Sequence, residues 1–212
     1  MNIPTTSMSV GMCMRVLDIN LSVRAQSKLQ CLLSRYMTGD RYYHNLRHIE
    51  EGLPEVVRLC NLFCMAPHER LLSLFIWLFH DLDKDSISKS AREFVIYAKD
   101  EMGLEPELVR FGYRGIYATD HKHNPHNFII KTILDIDLKR LASPWDEFCQ
   151  HSRELKLEKT HLGDERFRTW QIEQLRWFLS RKSIYLTGLF CEHELQARAN
   201  ITRALAELGV PP

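Results

Sequence analysis

The sequence predicts an all-α fold, and three observations support this prediction. Apolar residues recur at intervals of three and four over most of the chain from about Ser22 onward. The 212 residues include only nine glycines and eight prolines, fewer than a turn-rich β-sandwich or barrel needs. No pair of alternating segments joined by a short turn predicts a β-hairpin. We therefore expect one helical domain over residues 21–212, with eight or nine helices, preceded by an irregular segment over residues 1–20.

The first two helices follow from the spacing of leucines and from turn residues. Leu29, Leu32 and Tyr36 form one apolar face of a helix that ends at the turn around Gly39. The second helix has a similar face, although Pro54 lies in its interior, where proline generally kinks or ends a helix.

Prolines and glycines delimit the later helices. Pro67 opens a helix that is apolar nearly all round, which predicts a central position. Gly103 ends the next helix and Pro106 opens the one after it. The isoleucine-rich stretch 128–141 leaves a strand open as an alternative to a helix. The helices after the first are predicted over His44–Cys64, Glu69–Phe79, Ser86–Met102, Pro106–Thr119, Phe128–Leu141, from Pro144 at a first helical position, and over Arg166–Ser180 and Glu192–Leu208.

Composition and charge argue against several classes of protein. Lys plus Arg total 28 and Asp plus Glu total 27, so no bulk positive charge favours nucleic-acid binding. The longest apolar run, Leu71–Phe79, is far shorter than the ~18 residues of a membrane span. At the N-terminus, no basic stretch is followed by an apolar one, so we do not expect a secretory signal. None of the six cysteines forms a CxxC pair, so we expect reduced thiols and a cytoplasmic protein.

Histidine and aspartate concentrate in four short segments. His44 and His48 are four residues apart, so on a helix they share one face. Both could bind one metal ion (a two-ligand grip), or one could be a ligand with the second histidine one turn away. His80 and Asp81 end the most apolar helix, and Asp137 lies between two apolar residues. Charge in such surroundings needs a partner, and a divalent cation is one, although a capping or tyrosine contact is another. The segments are RYYHNLRH (41–48), FHDLDKD (79–85), ATDHKH (118–123) and LDIDL (134–138).

Together these segments resemble the HD superfamily of metal-dependent phosphohydrolases. RYYHNLRHI, WLFHDLDKD, IYATDHKH, DIDLKRL, FLSRKSIYLT and ELQARANI are similar to successive blocks of a bacterial branch of predicted HD phosphohydrolases, over residues 36–207. A more distant similarity joins YHNLRH and HDLD to the YHNxxH and HDxDH motifs of cyclic-nucleotide phosphodiesterases. Lys84 stands where that family has its second histidine, which argues against cyclic-nucleotide cleavage.

The resemblance implies a role for each matching residue. His48, His80, Asp81 and Asp137 would bind one metal ion, and His44 would act as the general acid. These five residues are the centre of the predicted site.

A second set of residues would surround that centre. Asp85 matches an acidic catalytic residue of the alarmone-hydrolysing HD enzymes, although the glutamate before it is Lys84 here. Arg41, Lys84 and His121 are the candidates for contacting substrate, since cations must meet its phosphates. His121 and His123 could instead supply a second, weaker metal site.

The chemistry of the donors then predicts the cofactor and the reaction. Two imidazoles and two carboxylates suit Mn²⁺, Fe²⁺, Co²⁺ or Mg²⁺, with zinc left open. Such an ion would activate water for attack on a phosphoester or phosphoanhydride, and the expected substrate is a small phosphorylated molecule such as a nucleotide. The alternatives are an HD-fold di-iron oxygenase and a non-catalytic nucleotide-binding module. We expect neither a membrane nor bulk nucleic acid as a partner, and oligomerisation is left open.

Overall fold

Residues 8–210 are described here by a computed structural model, and within them all regular structure is helical. Ten α-helices and five short 3-10 helices are present in this range, with no strand, which confirms the all-α prediction. The α-helices are α1 (Val10–Val16), α2 (Val23–Leu33), α3 (Leu46–Leu62), α4 (Pro67–Phe79), α5 (Ile87–Asp100), α6 (Pro106–Tyr117), α7 (Phe128–Asp137), α8 (Trp145–Glu158), α9 (Gly163–Ser180) and α10 (Cys191–Glu207).

The helix α1 corrects the prediction of an irregular segment over residues 1–20. The Ser9 hydroxyl accepts a hydrogen bond from the backbone N–H of Met12 and so caps the helix, while Cys13 is fully buried. Gly11 lowers the helix propensity of this stretch, but burial of one face against α3 offsets the cost. Residues 1–7 lie outside the described residues, and the domain boundary at residue 21 stays a prediction.

The first compact unit of the chain extends to Ile136 and has α4 as its central helix. Every residue of 72–79 is buried, and α3, α5 and α6 pack around α4, as its apolar sequence predicts. The helix α3 continues through Pro54, as the predicted helix over His44–Cys64 requires, so this proline does not end it. Proline has no backbone N–H, so the helix lacks one hydrogen bond at Pro54. Burial of Ile49, Leu53 and Val56 on one face of α3 compensates for this loss.

Two helix ends in this unit differ from the sequence prediction and matter for the site. The helix α3 begins at Leu46, not at His44, because the Asn45 side chain accepts a hydrogen bond from the N–H of His48 and caps the helix. The stretch 128–141 is an α-helix to Asp137 and a 3-10 helix over Leu138–Ala142, which excludes the strand alternative.

The second compact unit begins at Asp137, the last residue of α7. Within it, α10 packs on α9 and on the 3-10 helix Leu138–Ala142. Buried Asn200 on α10 donates hydrogen bonds to the carbonyl oxygens of Leu141 and Ser143, which fixes this packing. Pro144 is the N-cap of α8 and not its first helical residue, which corrects its predicted position by one residue.

The described residues contain no disulfide and no helix suited to cross a membrane. All six cysteines lie in this range and are free thiols. Burial raises the pKa of Cys13 to about 12 and that of Cys60 to about 11, so both remain protonated at neutral pH. Among residues 8–210, no helix has the length and apolarity that a membrane crossing requires.

Candidate metal centre

Four side chains from separate parts of the sequence converge on one point. His48, His80, Asp81 and Asp137 each offer one ligand atom, and these atoms all lie within 4.8 Å of one another. His48 is on the first turn of α3, His80 and Asp81 directly follow α4, and Asp137 ends α7. The site is therefore built from helix ends, where the backbone turns and side chains of different helices can meet.

The distances among His48, His80 and Asp81 are those expected around a small cation. The Nε2 atoms of His48 and His80 are 3.3 Å apart. Oδ2 of Asp81 lies 2.9 Å from Nε2 of His80 and 3.6 Å from Nε2 of His48. Two donors bound to one ion at about 2.1 Å are separated by roughly 3–4 Å, depending on their angle. The three atoms can therefore share an ion with small adjustments of their side chains.

The hydrogen bonding of His80 determines which ring nitrogen faces the group. Its Nδ1 lies 2.7 Å from the carbonyl oxygen of Trp77, and a carbonyl can only accept, so Nδ1 carries the proton. The lone pair of a neutral ring is then on Nε2, the atom next to His48 and Asp81. A backbone carbonyl that fixes the tautomer in this way is the usual support of a metal-binding histidine.

Aromatic rings enclose the two histidines. His80 is 1% exposed and His48 is 3% exposed. The Trp77 ring stacks on His80 at 4.6 Å and lies edge-to-face with His48 at 5.1 Å, and Tyr43 stacks on His48 at 6.0 Å. The indole Nε1 of Trp77 donates to the carbonyl oxygen of Ile49, which fixes the ring. The two imidazoles are therefore held in place and shielded from water.

The carboxylate side of the group is more open. The Asp81 side chain is 17% exposed and Asp137 is half-buried. A ligand can therefore approach from this side, while the imidazoles stay shielded from water. A site with one closed and one open side can bind an ion and still leave room for water or substrate.

His44 lies beside the group but is not part of it. Its Nε2 is 4.0 Å from Oδ2 of Asp81, and its side chain is 20% exposed. Because His44 precedes the N-cap Asn45, it does not share a helix face with His48. The two-ligand grip on one helix is therefore excluded, and His44 is a partly exposed neighbour of the Asp81 carboxylate.

The residues expected to contact substrate are placed in different ways. Lys84 contacts Asp85 at 2.9 Å and Asp40 at 3.6 Å, on the segment that follows the group, and the Asp85 side chain is 58% exposed. Arg41 donates hydrogen bonds to backbone carbonyl oxygens of this same region. Their predicted roles toward substrate stay predictions.

The histidines of the 118–123 segment belong to a separate turn. His121 adopts a left-handed backbone conformation with φ of 59° at the end of a 3-10 helix, and exposed His123 contacts Asp120 at 3.5 Å. In the part of the chain that the structure describes, the group that could hold an ion includes neither of them.

The donor set fits a divalent cation on chemical grounds. Two largely buried imidazoles next to two carboxylates leave negative charge near a region of low dielectric, and an ion would balance that charge. Nitrogen and oxygen donors without a thiolate suit Mn²⁺, Fe²⁺, Co²⁺ or Mg²⁺ and leave zinc open. The structure therefore contains a His and Asp group able to hold a metal ion, whose identity it does not specify.

The sequence did not reveal the residues that support these ligands. Trp77 and Phe79 are buried, which agrees with the central position predicted for their helix, yet Trp77 also orients His80. The only signal in the sequence is that Trp77 lies three residues before His80 on the same helix face. Gly52 also supports the ligands, because it leaves room for the Trp77 ring. A Cβ at this position would lie 2.1 Å from Cζ2 of Trp77.

Comparison of the sequence with protein-family models gave no match. Comparison with curated proteins also gave none. The helical fold and the His and Asp group are compatible with an HD-type domain, and the motifs quoted above carry the resemblance.

Proposed function

We propose that this protein is a metal-dependent phosphohydrolase of the HD type. The observation that carries the proposal is the convergence of His48, His80, Asp81 and Asp137 within 4.8 Å. These are the four residues that the motif resemblance assigns to one metal ion. Residues that are up to 89 positions apart in sequence (137 − 48) meet at one point, which a chance placement of histidines does not explain.

The proposed reaction divides the chemistry between the ion and the protein. A divalent ion in this site would lower the pKa of water and polarise a phosphoryl oxygen. The four ligand residues would hold the ion in one geometry. The Trp77 ring, packed against His80 and His48, shields the two imidazoles from water. His44, on the open side, would donate a proton to the leaving oxygen, a role typically worth about 10²–10⁴-fold in rate.

Asp85 and Lys84, which follow the ligand Asp81 in sequence, have further roles in this proposal. Asp85 is exposed and bonded to Lys84, so it is free to approach a ligand only if that ion pair opens. An arriving phosphate would compete for Lys84, which would release the Asp85 carboxylate to orient water or accept its proton.

The proposed substrate is a small phosphorylated molecule, with a nucleotide preferred. Lys84 supplies a cation three residues after Asp81, and exposed Tyr42 lies on the segment that carries His44. Phosphate and base would thus each find a complementary side chain. The free thiols of all six cysteines support a reducing compartment as part of the same proposal.

Metal analysis followed by a nucleotide panel tests the proposal. We expect the purified full-length protein to bind one tight equivalent of a divalent metal and, with Mn²⁺ added, to release phosphate or a nucleotide product from one class of substrate. His161→Ala, at an exposed histidine outside the group, is the matched control and should bind metal normally. A protein that binds no divalent metal, or that holds two irons and consumes O₂ without releasing phosphate, would contradict the proposal.

A further inference from the structure

We propose that Arg41 is a positioning residue that fastens the segment carrying His44 to the segment carrying His80 and Asp81. The role in catalysis rests on the proposed function, whereas the fastening itself does not. In this assignment Arg41 acts through the backbone and does not bind the substrate phosphate.

Three hydrogen bonds of the guanidinium group are the main evidence. One terminal nitrogen, Nη1, donates to the carbonyl oxygen of His44 at 2.9 Å and to that of Asp81 at 2.8 Å. The other, Nη2, donates to the carbonyl oxygen of Leu82 at 2.6 Å. Arg41 therefore joins its own segment to residues 40 and 41 positions later, at the point where the ligands sit.

The location of the accepting carbonyls explains why a cation is needed. The carbonyls of Asp81 and Leu82 lie just beyond the end of α4, next to the negative end of its helix dipole. The positively charged fork of Arg41 donates to both carbonyls and interacts favourably with the end of the dipole. Three of the five guanidinium N–H groups are used in this way, which reduces the donors left for a ligand.

A buried tyrosine lies under the guanidinium group. The Arg41 guanidinium lies over the Tyr36 ring at 5.0 Å, and the Tyr36 hydroxyl donates to the carbonyl oxygen of Leu78 at 3.0 Å. Tyr36 is fully buried, so it forms a rigid base under the arginine. The last turn of α4, Tyr36 and Arg41 thus form one connected unit.

This connection sets where the His44 ring can lie. Residues 41–45 form no helix, and Arg41 holds the carbonyl of His44 against that of Asp81. The 4.0 Å between His44 Nε2 and Asp81 Oδ2 follows from this attachment. His48 and His80 are held by their own helices and aromatic contacts, so they should not depend on Arg41.

Hydrogen exchange and histidine modification test the proposal on the full chain without metal or substrate. In Arg41→Met and Arg41→Lys, we expect amide exchange in residues 42–46 to accelerate about tenfold or more. Lysine should rescue little, because two nitrogens of the fork serve the carbonyls and an ammonium has one. Modification of His44 by diethyl pyrocarbonate should rise by a similar factor, while that of buried His80 and exposed His161 stays unchanged.

A matched control and a rescue distinguish positioning from a general loss of structure. Arg47→Lys changes an exposed arginine in the same segment and should leave exchange of 42–46 unchanged. Millimolar guanidinium should partly restore protection in Arg41→Ala, whereas urea at the same concentration should not.

The outcomes that would overturn the proposal are specific. Native exchange of residues 42–46 together with native His44 modification in Arg41→Met would show that the attachment does not exist. A raised KM with unchanged kcat for a phosphorylated substrate would assign Arg41 to phosphate binding instead. Because the exchange measurements use no metal, a failure of the proposed hydrolase activity would leave their result intact.

Discussion

Trp77 stacks on His80 with ring centroids 4.6 Å apart, and the Trp77 carbonyl oxygen also accepts the hydrogen bond from Nδ1 of that imidazole. One residue therefore fixes both the plane of the ring and its tautomer. The first contact restricts rotation of His80, and the second directs the lone pair of Nε2 toward the carboxylate of Asp81. The geometry of the metal group thus depends on the packing of a core residue.

The close contact of Gly52 with Trp77 gives the first prediction. In Gly52→Ala, the added methyl would lie 2.1 Å from a rigid indole that cannot move without disturbing His80. We expect a loss of about 1–3 kcal/mol in the free energy of unfolding, measured in urea, and a weaker affinity for Mn²⁺. Gly11→Ala, in a helix where a Cβ meets nothing within 4 Å, should be neutral or slightly stabilising. Equal effects of the two changes would contradict this account of Gly52.

Removing a ligand should abolish metal binding. His80→Ala and Asp81→Ala each delete an atom of the group, and the remaining three donors hold an ion more weakly. We expect both variants to lose tightly bound metal and all phosphate release, while circular dichroism shows the native helix content. Metal content after dialysis is the direct measurement. Full turnover by either variant, on a substrate cleaved by the native protein, would show that the hydrolase assignment is wrong.

His44 should behave differently from the ligands. It lies 4.0 Å from Asp81 and outside the four-residue group, so His44→Ala should keep the metal. Loss of the proton donor should slow turnover by about 10²–10⁴-fold, and substrates with good leaving groups should be affected least. Metal stoichiometry and kcat, measured on the same preparation, separate the two roles. Loss of metal equal to that in His80→Ala would make His44 a ligand.

Much of the fold and the centre of the site can be predicted from the sequence, for local reasons. Apolar periodicity and the prolines at helix starts determine most helices, including the apolar α4. The need to compensate charge in apolar surroundings points to His80, Asp81 and Asp137. These features depend on residues close together in sequence, so the spacing of side chains is enough to reveal them.

The features that could not be predicted depend on competition between neighbours or on contacts between distant residues. The spacing of His44 and His48 suggests a shared helix, but the Asn45 cap starts the helix after His44. Arg41 bonds to carbonyl groups about 40 residues away, and nothing in its own segment indicates where they lie. The stacking of Trp77 on His80 depends on side-chain rotamers, which spacing alone leaves open.

Glu194 gives a prediction for the second unit of the chain, independent of the metal group. Its carboxylate accepts hydrogen bonds from the backbone N–H groups of Ile184 and Tyr185 and from Arg198. Partial burial raises its pKa, but these hydrogen bonds and the charge of Arg198 outweigh it, so the pKa lies below its usual value near 4.5. The carboxylate therefore stabilises the folded state above the unfolded pKa, and this contribution is lost as pH falls through the folded pKa.

The variant Glu194→Gln tests this linkage. At pH 7 we expect it to lower the free energy of unfolding by about 1–3 kcal/mol, because a charged acceptor of several N–H groups becomes neutral. The difference from the native protein should shrink as pH falls below about 4.5, because the carboxylate of the unfolded chain takes up a proton there while the native carboxylate, with its lowered pKa, does so only at still lower pH. Glu192→Gln, at an exposed glutamate on the same helix, should change stability little at either pH. Urea unfolding at pH 7 and pH 4 measures both variants. A pH-independent difference for Glu194→Gln would mean that its effect comes from packing and not from the charge of the carboxylate.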